Sequence, residues 1–134
     1  FDIGGRHVVL NLAKNPAGFN QNISAVLEDK SPKDLIVVIN DKAQDGKDIS
    51  WLWDVDFERF HDARVQTFIA SGIRALDMQL RFKYADIPSK MEEDVTKAIE
   101  RLVAEGTGNL YVLCNYTALY NIHLILKKLE EGKV

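Results

Sequence analysis

The sequence predicts an α/β domain of the three-layer, Rossmann-like kind, with a mostly parallel sheet covered by helices on both faces. Three observations predict it. Apolar runs rich in β-forming residues alternate along the chain with amphipathic stretches of helical period. The run Leu35–Ile39 (LIVVI) is apolar at every position, as a central strand covered on both faces must be. The segments after the apolar runs carry the polar and turn-forming residues, and open parallel sheets bind ligands at the carboxyl ends of their strands.

Each element has its own signal. His7–Leu12 (HVVLNL) reads as the first strand, and Ala13–Gly18, punctuated by Pro16 and Gly18, as the loop after it. Phe19–Leu27 reads as a helix with Ile23, Val26 and Leu27 on one face. Ser31-Pro32 breaks the chain before the strand Leu35–Ile39, and Asn40–Ser50 is a polar loop. Trp51–Phe60 (WLWDVDFERF) reads as part turn, part short helix, and Val65–Ala70 as a strand ending at Ser71-Gly72. Ile73–Tyr84 is expected to be helical, with Leu76, Leu80 and Tyr84 in its apolar stripe. Ile87-Pro88 is a candidate edge strand. Met91–Glu105 is an amphipathic helix with Val95, Ile99, Leu102 and Val103 inward, stopped by Gly106 and Gly108. Leu110–Cys114 is the last strand and Thr117–Glu130 the last helix. Without repeats or internal linkers, residues 1–134 read as one domain, and the abrupt start at Phe1 reads as a piece of a longer chain.

Composition narrows the functional classes. The chain has 134 residues, 46% hydrophobic and 28% charged, enough to bury a core without a disulfide staple. The single cysteine, Cys114, rules out an internal disulfide or a thiolate-rich zinc site. A net charge of −3 and no basic block argue against a nucleic-acid surface. No apolar run approaches the roughly 18 residues that a membrane span needs.

Four segments should meet at the carboxyl end of the sheet: Lys14–Phe19, Asn40–Trp53, Ser71–Arg74 and Asn115–Tyr116. The richest is Asn40–Trp53, in which Asp41, Asp45 and Asp48 follow Asn40, and Asp45-Gly46 makes a tight turn. Two readings stand side by side. Asp48 caps a short helix starting near Ile49, and the rest is a solvated loop; or the acids are functional, with Trp51 and Trp53 beside an interface. Asp54 and Asp56 suit the starts of helical turns better than a metal pair, so no metal site is expected. Lys14 and Asn15 sit where the first strand meets the first helix, a place that favours anions, but the spacing of a phosphate loop is absent. His7, His61 and His123 have no ligand spacing, and Cys114 reads as a buried small hydrophobe rather than a nucleophile. A receiver domain is set aside, because it needs an acidic pair where this chain has Ala13-Lys14-Asn15.

Several runs together resemble one family, the C-terminal domain of MurT, the Mur-ligase-like subunit of lipid II isoglutaminyl synthase. LNLAKNPAGFN (Leu10–Asn20), INDKAQDGKDISWLWDVDFE (Ile39–Glu58), SGIRALDMQLRFKYA (Ser71–Ala85) and NYTAL (Asn115–Leu119) carry the resemblance, in order, over nearly the whole chain. The D-G-x-D-x-S-W core is its most specific part. Asn15-Pro16 also resembles the H-N-P turn of general Mur ligases, with Lys14 in place of the histidine.

The resemblance implies a Mur ligase C-terminal fold and a place in an ATP- and Mg2+-dependent carbon–nitrogen ligase. That enzyme acts at the cytoplasmic face of the membrane on lipid II, with the glutaminase GatD as partner. It implies that GatD releases ammonia from glutamine with a Cys–His pair and that the ligase amidates D-isoglutamate to D-isoglutamine. The family's functional aspartate matches Asp48, with Asp45 shaping the turn and Asn40 and Asp41 as secondary candidates. Lys14, Asn15 and Asn115 would lie nearest nucleotide or substrate. The phosphate loop, the ATPase core and the cysteine ribbon of the full-length subunit have no counterpart in this sequence, so these 134 residues are not expected to turn over ATP alone. A docking module whose acid is only structural, and a generic nucleotide- or anion-binding domain, are the alternatives.

Overall fold

A six-stranded sheet organises the chain, in the order β1-β2-β6-β3-β4-β5. The computed structural model describes residues 1–132 apart from Ala63 and the side chain of Asp62. Its elements are β1 (Asp2–Ile3), β2 (Arg6–Leu12), α1 (Pro16–Glu28) and β3 (Lys33–Val38), then two 3₁₀ turns (Ser50–Asp54 and Phe57–Asp62). They continue with β4 (Val65–Ser71), α2 (Ala75–Tyr84), β5 (Lys90–Met91), α3 (Val95–Glu105), β6 (Asn109–Cys114) and α4 (Tyr116–Glu130). All neighbouring strands pair in parallel except β1, which runs antiparallel to β2.

Alternation along the central strands divides the interior into two cores. Leu35, Val37 and Ile39 face one side with Phe19 and Ile23 of α1, Met78 and Phe82 of α2, and Leu52, Phe57 and Phe60 of the 3₁₀ turns. Ile36 and Val38 face the other side with Ala98, Ile99 and Leu102 of α3 and Ala118, Ile122 and Leu126 of α4. Every residue of β3 is buried, so the all-apolar run does mark the middle of a covered sheet. Its first two residues are charged and are paid for locally: Lys33 Nζ donates to the carbonyls of Asp29 (2.7 Å) and Ser31 (2.8 Å), and Asp34 accepts from Arg6 at 2.9 Å. This is the amino end of the sheet, away from the loops that follow the strands.

Several boundaries differ from the sequence expectation. Helix α1 starts at Pro16 rather than Phe19, because Asn15 caps it by accepting from Gly18 N–H at 2.8 Å and proline suits the first turn. Helix α3 starts at Val95 rather than Met91, because Asp94 accepts from the Thr96 N–H at 2.9 Å. Val95, Ile99, Leu102 and Val103 do face inward there. The edge strand is Lys90–Met91, not Ile87-Pro88; Asp86 takes a positive φ of 58° and Ile87 folds back onto the carbonyl of Phe82. The β1 hairpin, turned through Gly4-Gly5, is a further element.

The largest difference is the face of α2. Leu76, Leu80 and Tyr84 are 67%, 44% and 68% exposed, and the buried face is Ala75, Met78, Arg81 and Phe82. Both faces are periodic in sequence, and an arginine in one of them reads as solvent-facing. Arg81 inverts that reading because its guanidinium finds two carbonyl acceptors inside the fold and both oxygens of the half-exposed Glu58 carboxylate. Among the described residues, no helix is long and apolar enough to cross a membrane.

Candidate functional site

The carboxyl ends of β3, β4 and β6 are joined by side-chain amides. Asn115, buried at the end of β6, accepts from Asn40 N–H at 3.0 Å and donates to the Asn40 carbonyl at 2.8 Å. Its amide thereby copies a backbone and extends the β3–β6 pairing by one residue. Asn40 in turn accepts from the Ile73 N–H at 3.1 Å and donates to the Thr117 hydroxyl at 3.4 Å. β3 and β6 are neighbours, yet the segments that follow them go to opposite faces of the sheet. That divergence is the switch point at which such sheets hold their ligands.

Gly72 closes this corner with a φ of +89°, and a Cβ there would lie 2.7 Å from the Ile39 carbonyl and 2.9 Å from Asn40 Oδ1. A side chain would be strained by conformation and by contact with backbone. Gly72→Ala is expected to cost about 2 kcal/mol of stability in urea unfolding. An unchanged midpoint would show that the corner relaxes freely.

The loop beyond Asn40 is pinned at two further places. Asp41 accepts from Arg74 at 3.1 Å, and Arg74 also donates to Asp77 at 2.8 Å. Asp45 accepts from the Thr117 N–H at 2.8 Å, from the Thr117 hydroxyl, and from the Lys42 N–H at 3.3 Å. The turn itself closes by Asp45 N–H and Gly46 N–H donating to the Lys42 carbonyl at 2.9 and 3.1 Å, with Gly46 at φ +82°.

Asp48 differs from both other acids of the loop. It is exposed, and its carboxylate accepts from the Ser50 N–H at 2.9 Å, inside its own turn. The Ser50 N–H, and then the Ser50 hydroxyl, hold it below the usual carboxylate range, so it is charged at neutral pH. The residue that precedes the first 3₁₀ turn is Ile49, which makes no side-chain cap; the bond from Asp48 to Ser50 is therefore the local capping contact of this turn. Capping and a second role are compatible, since one bond leaves most of a carboxylate's lone pairs unused. Asp48 lines an open cavity of about 300 Å³ with Lys47, Ser50, Trp53, Arg74 and Arg81.

The two tryptophans separate. Trp51 packs half-buried against Phe19, at 5.8 Å between ring centroids. Trp53 is 49% exposed, edge-on to Tyr84 at 5.3 Å, with the Arg81 guanidinium over its ring.

Among the described residues, no histidine lines the Asp48 cavity. His7 pairs with Asp2 on the hairpin, the His61 ring contacts the Ala85 carbonyl, and His123 lies against Phe1. Cys114 is buried, and burial, followed by the charge of Asp45, pushes its thiol up to about 12. It is no nucleophile at neutral pH. A thiol reagent at pH 8 should leave the native protein unlabelled and modify it once after denaturation; rapid native labelling would contradict the buried placement.

Asn40, Asp45 and Asn115 thus come together in one bonded network through Thr117, with Asp41 held by Arg74 next to it, whereas Asp48 stands beside them at the lip. Lys14 is exposed at the head of α1, and Asn15 spends its carboxamide on the cap. The Gly18 N–H is already taken, and among the described residues no three His, Cys, Asp or Glu side chains are grouped to hold a metal ion. Sequence reasoning missed Thr117, Arg74 and Arg81. Thr117 lay in a quoted motif, but its partner is fixed only by the fold.

The comparisons with known proteins follow this geometry. A family model described as "MurT ligase C-terminal" matches residues 12–119, which include every residue of the loop network. The Staphylococcus aureus (strain COL) protein named "Lipid II isoglutaminyl synthase (glutamine-hydrolyzing) subunit MurT" is 36% identical over 129 residues, 95% of this chain and 29% of that protein. The protein of the same name from Streptococcus pneumoniae (strain ATCC BAA-255 / R6) is 32% identical over 132 residues, 94% of this chain and 29% of its own length. The chain therefore spans less than a third of the length of these relatives. By the family match and by its mostly parallel α/β sheet, the chain belongs to the MurT ligase C-terminal family.

Proposed function

We propose that this domain serves a glutamine-hydrolysing lipid II isoglutaminyl synthase by presenting Asp48 to the active site of a glutaminase subunit, GatD. One observation carries the reading. Asp48 is a charged, exposed carboxylate fixed in its own turn, beside a cavity that is lined by no histidine or cysteine among the described residues. An acid so placed suits the third member of a triad completed in trans. There it accepts from the far nitrogen of the partner's histidine, fixes its tautomer and stabilises the imidazolium that forms when the cysteine gives up its proton.

Ammonia released by that pair would amidate D-isoglutamate of lipid II to D-isoglutamine, a reading supported by the relatives' name as subunits of a glutamine-hydrolysing lipid II isoglutaminyl synthase. ATP and Mg2+ would activate the carboxyl group in the full-length ligase, with Lys14 and the Asn15-capped turn of this domain nearest the nucleotide. The domain would work in the cytoplasm, at the membrane face that displays lipid II.

A second reading, docking without a catalytic acid, is favoured by the exposed apolar ridge of Trp53, Leu76, Leu80 and Tyr84 beside the same cavity. The full-length subunit carrying Asp48→Asn, mixed with GatD, separates the two. Assembly at wild-type affinity with glutamine hydrolysis lost supports the proposal. Weakened assembly with the specific activity of the assembled complex intact supports docking alone.

A further inference from the structure

We propose that Asp45, clasped by Thr117, is a positioning residue that sets the place of Asp48. This rests on the reading of Asp48 given above. Between Asn40 and Ser50 the loop has no strand pairing and no helix to hold it. Among the described residues, its polar attachments to the rest of the fold are the Asn40 amides at its root, the Asp41–Arg74 pair, and the Asp45–Thr117 clasp, while Ile49 buries its side chain in the core on the far side of Asp48. The clasp is the polar attachment nearest Asp48 in sequence and fixes the chain on its approach, with Gly46 between the two acids as the turn.

The clasp is strong for a physical reason. The first turn of α4 has donors with no partner inside the helix. Asn115, the residue at its cap position, has committed its carboxamide to Asn40 and caps nothing. Asp45 takes that role from a loop 72 residues away, accepting from both the N–H and the hydroxyl of Thr117. A carboxylate at a helix amino end is further favoured by the macrodipole. The loop that leaves toward one face of the sheet is thereby bolted to the helix on the other.

The same contacts discriminate between the two acids. Asp45 has both carboxylate oxygens engaged by groups elsewhere in the chain and in its own turn, whereas Asp48 is held by Ser50 alone among the described residues, inside its own turn. Asp45 is therefore the anchor and Asp48 the group on offer. A triad acid offered from another chain must be placed within a fraction of an ångström, and displacements near 1 Å are costly to the rate.

The test uses the full-length subunit assembled with GatD, reading kcat and KM for glutamine hydrolysis, subunit affinity and Tm. Asp45→Ala should lower kcat by about tenfold to a hundredfold with KM and affinity unchanged. Thr117→Val, which keeps the N–H and removes the hydroxyl, should lower kcat by less, and Thr117→Ser should restore it. Wild-type kcat in Asp45→Ala, with Asp48→Asn inactive, overturns this inference and spares the reading of Asp48. Wild-type kcat in both variants overturns that reading as well. If Thr117→Ser is as impaired as Thr117→Val, or if the loss follows affinity or Tm, the clasp is a cap and nothing more, and the inference fails.

Discussion

Asp48→Asn, in the full-length subunit paired with GatD, is expected to abolish glutamine-dependent amidation while the complex still forms. The substitution keeps size and shape, and its Oδ1 can still accept from the Ser50 N–H that holds Asp48 now, at 2.9 Å. What it removes is the charge. Asp48 is held below the ordinary carboxylate range, so it is ionised wherever a histidine partner titrates. A triad acid replaced by its amide presents a donor to a histidine nitrogen that must itself donate, which favours the wrong tautomer; the loss in kcat is then about 10⁴-fold. Ammonia release and the amidated product, followed by mass spectrometry, measure it, with assembly read by size-exclusion chromatography. Supplying ammonium salt should restore amidation, because activation of the carboxyl group does not pass through Asp48. Full activity with glutamine would end the proposal, and failure of ammonium to rescue would move the defect to the ligase half.

The fold was legible where one physical signal acted alone. Leu35–Ile39 could only be a covered strand, and the apolar face of α3 has a single periodic answer. It was illegible where two faces competed. In α2 the run Leu76, Leu80, Tyr84 has ideal spacing, yet it is the outer face, because the guanidinium of Arg81 is satisfied inside. The site shows the same division. That an acidic turn follows β3 is plain from Asp41, Asp45-Gly46 and Asp48. Which acid is anchored and which is exposed is not plain, since that depends on β6 lying beside β3. Asn40 meets Asn115 across 75 positions and Asp45 meets Thr117 across 72. No local pattern encodes such meetings; they follow from strand order.

Arg81→Leu should be the most destabilising substitution considered, at about 3 kcal/mol. The guanidinium is 3% exposed and lies between the rings of Trp53 and Phe57, at 5.3 and 5.2 Å from their centroids. It donates to the carbonyls of Leu52 (2.9 Å) and Val55 (2.6 Å) and, as a fork, to the Glu58 carboxylate at 3.0 and 3.1 Å. These acceptors lie in the two 3₁₀ turns and, for Val55, in the link between them, whose short ladders hold poorly on their own. Leucine fills part of the volume but removes the charged donor from two carbonyls that keep one backbone N–H each, from Val55 at 3.3 Å and Phe57 at 3.0 Å; losing those charge-assisted bonds and the guanidinium's place over two rings is the larger part of the cost. Arg81→Lys should recover little, because an ammonium cannot serve this planar set of acceptors. Glu58 is half-exposed and can be rehydrated, so Glu58→Gln should cost well under about 1 kcal/mol. Arg81 holds the Glu58 carboxyl below its usual range, so this part of the stability is full at neutral pH and fades as pH falls through the lowered value. Urea unfolding of the three variants gives the order. If Glu58→Gln is as damaging as Arg81→Leu, the ion pair rather than the carbonyls holds the turns. If neither matters, the segment that leads away from Asp48 is fixed by its apolar packing alone.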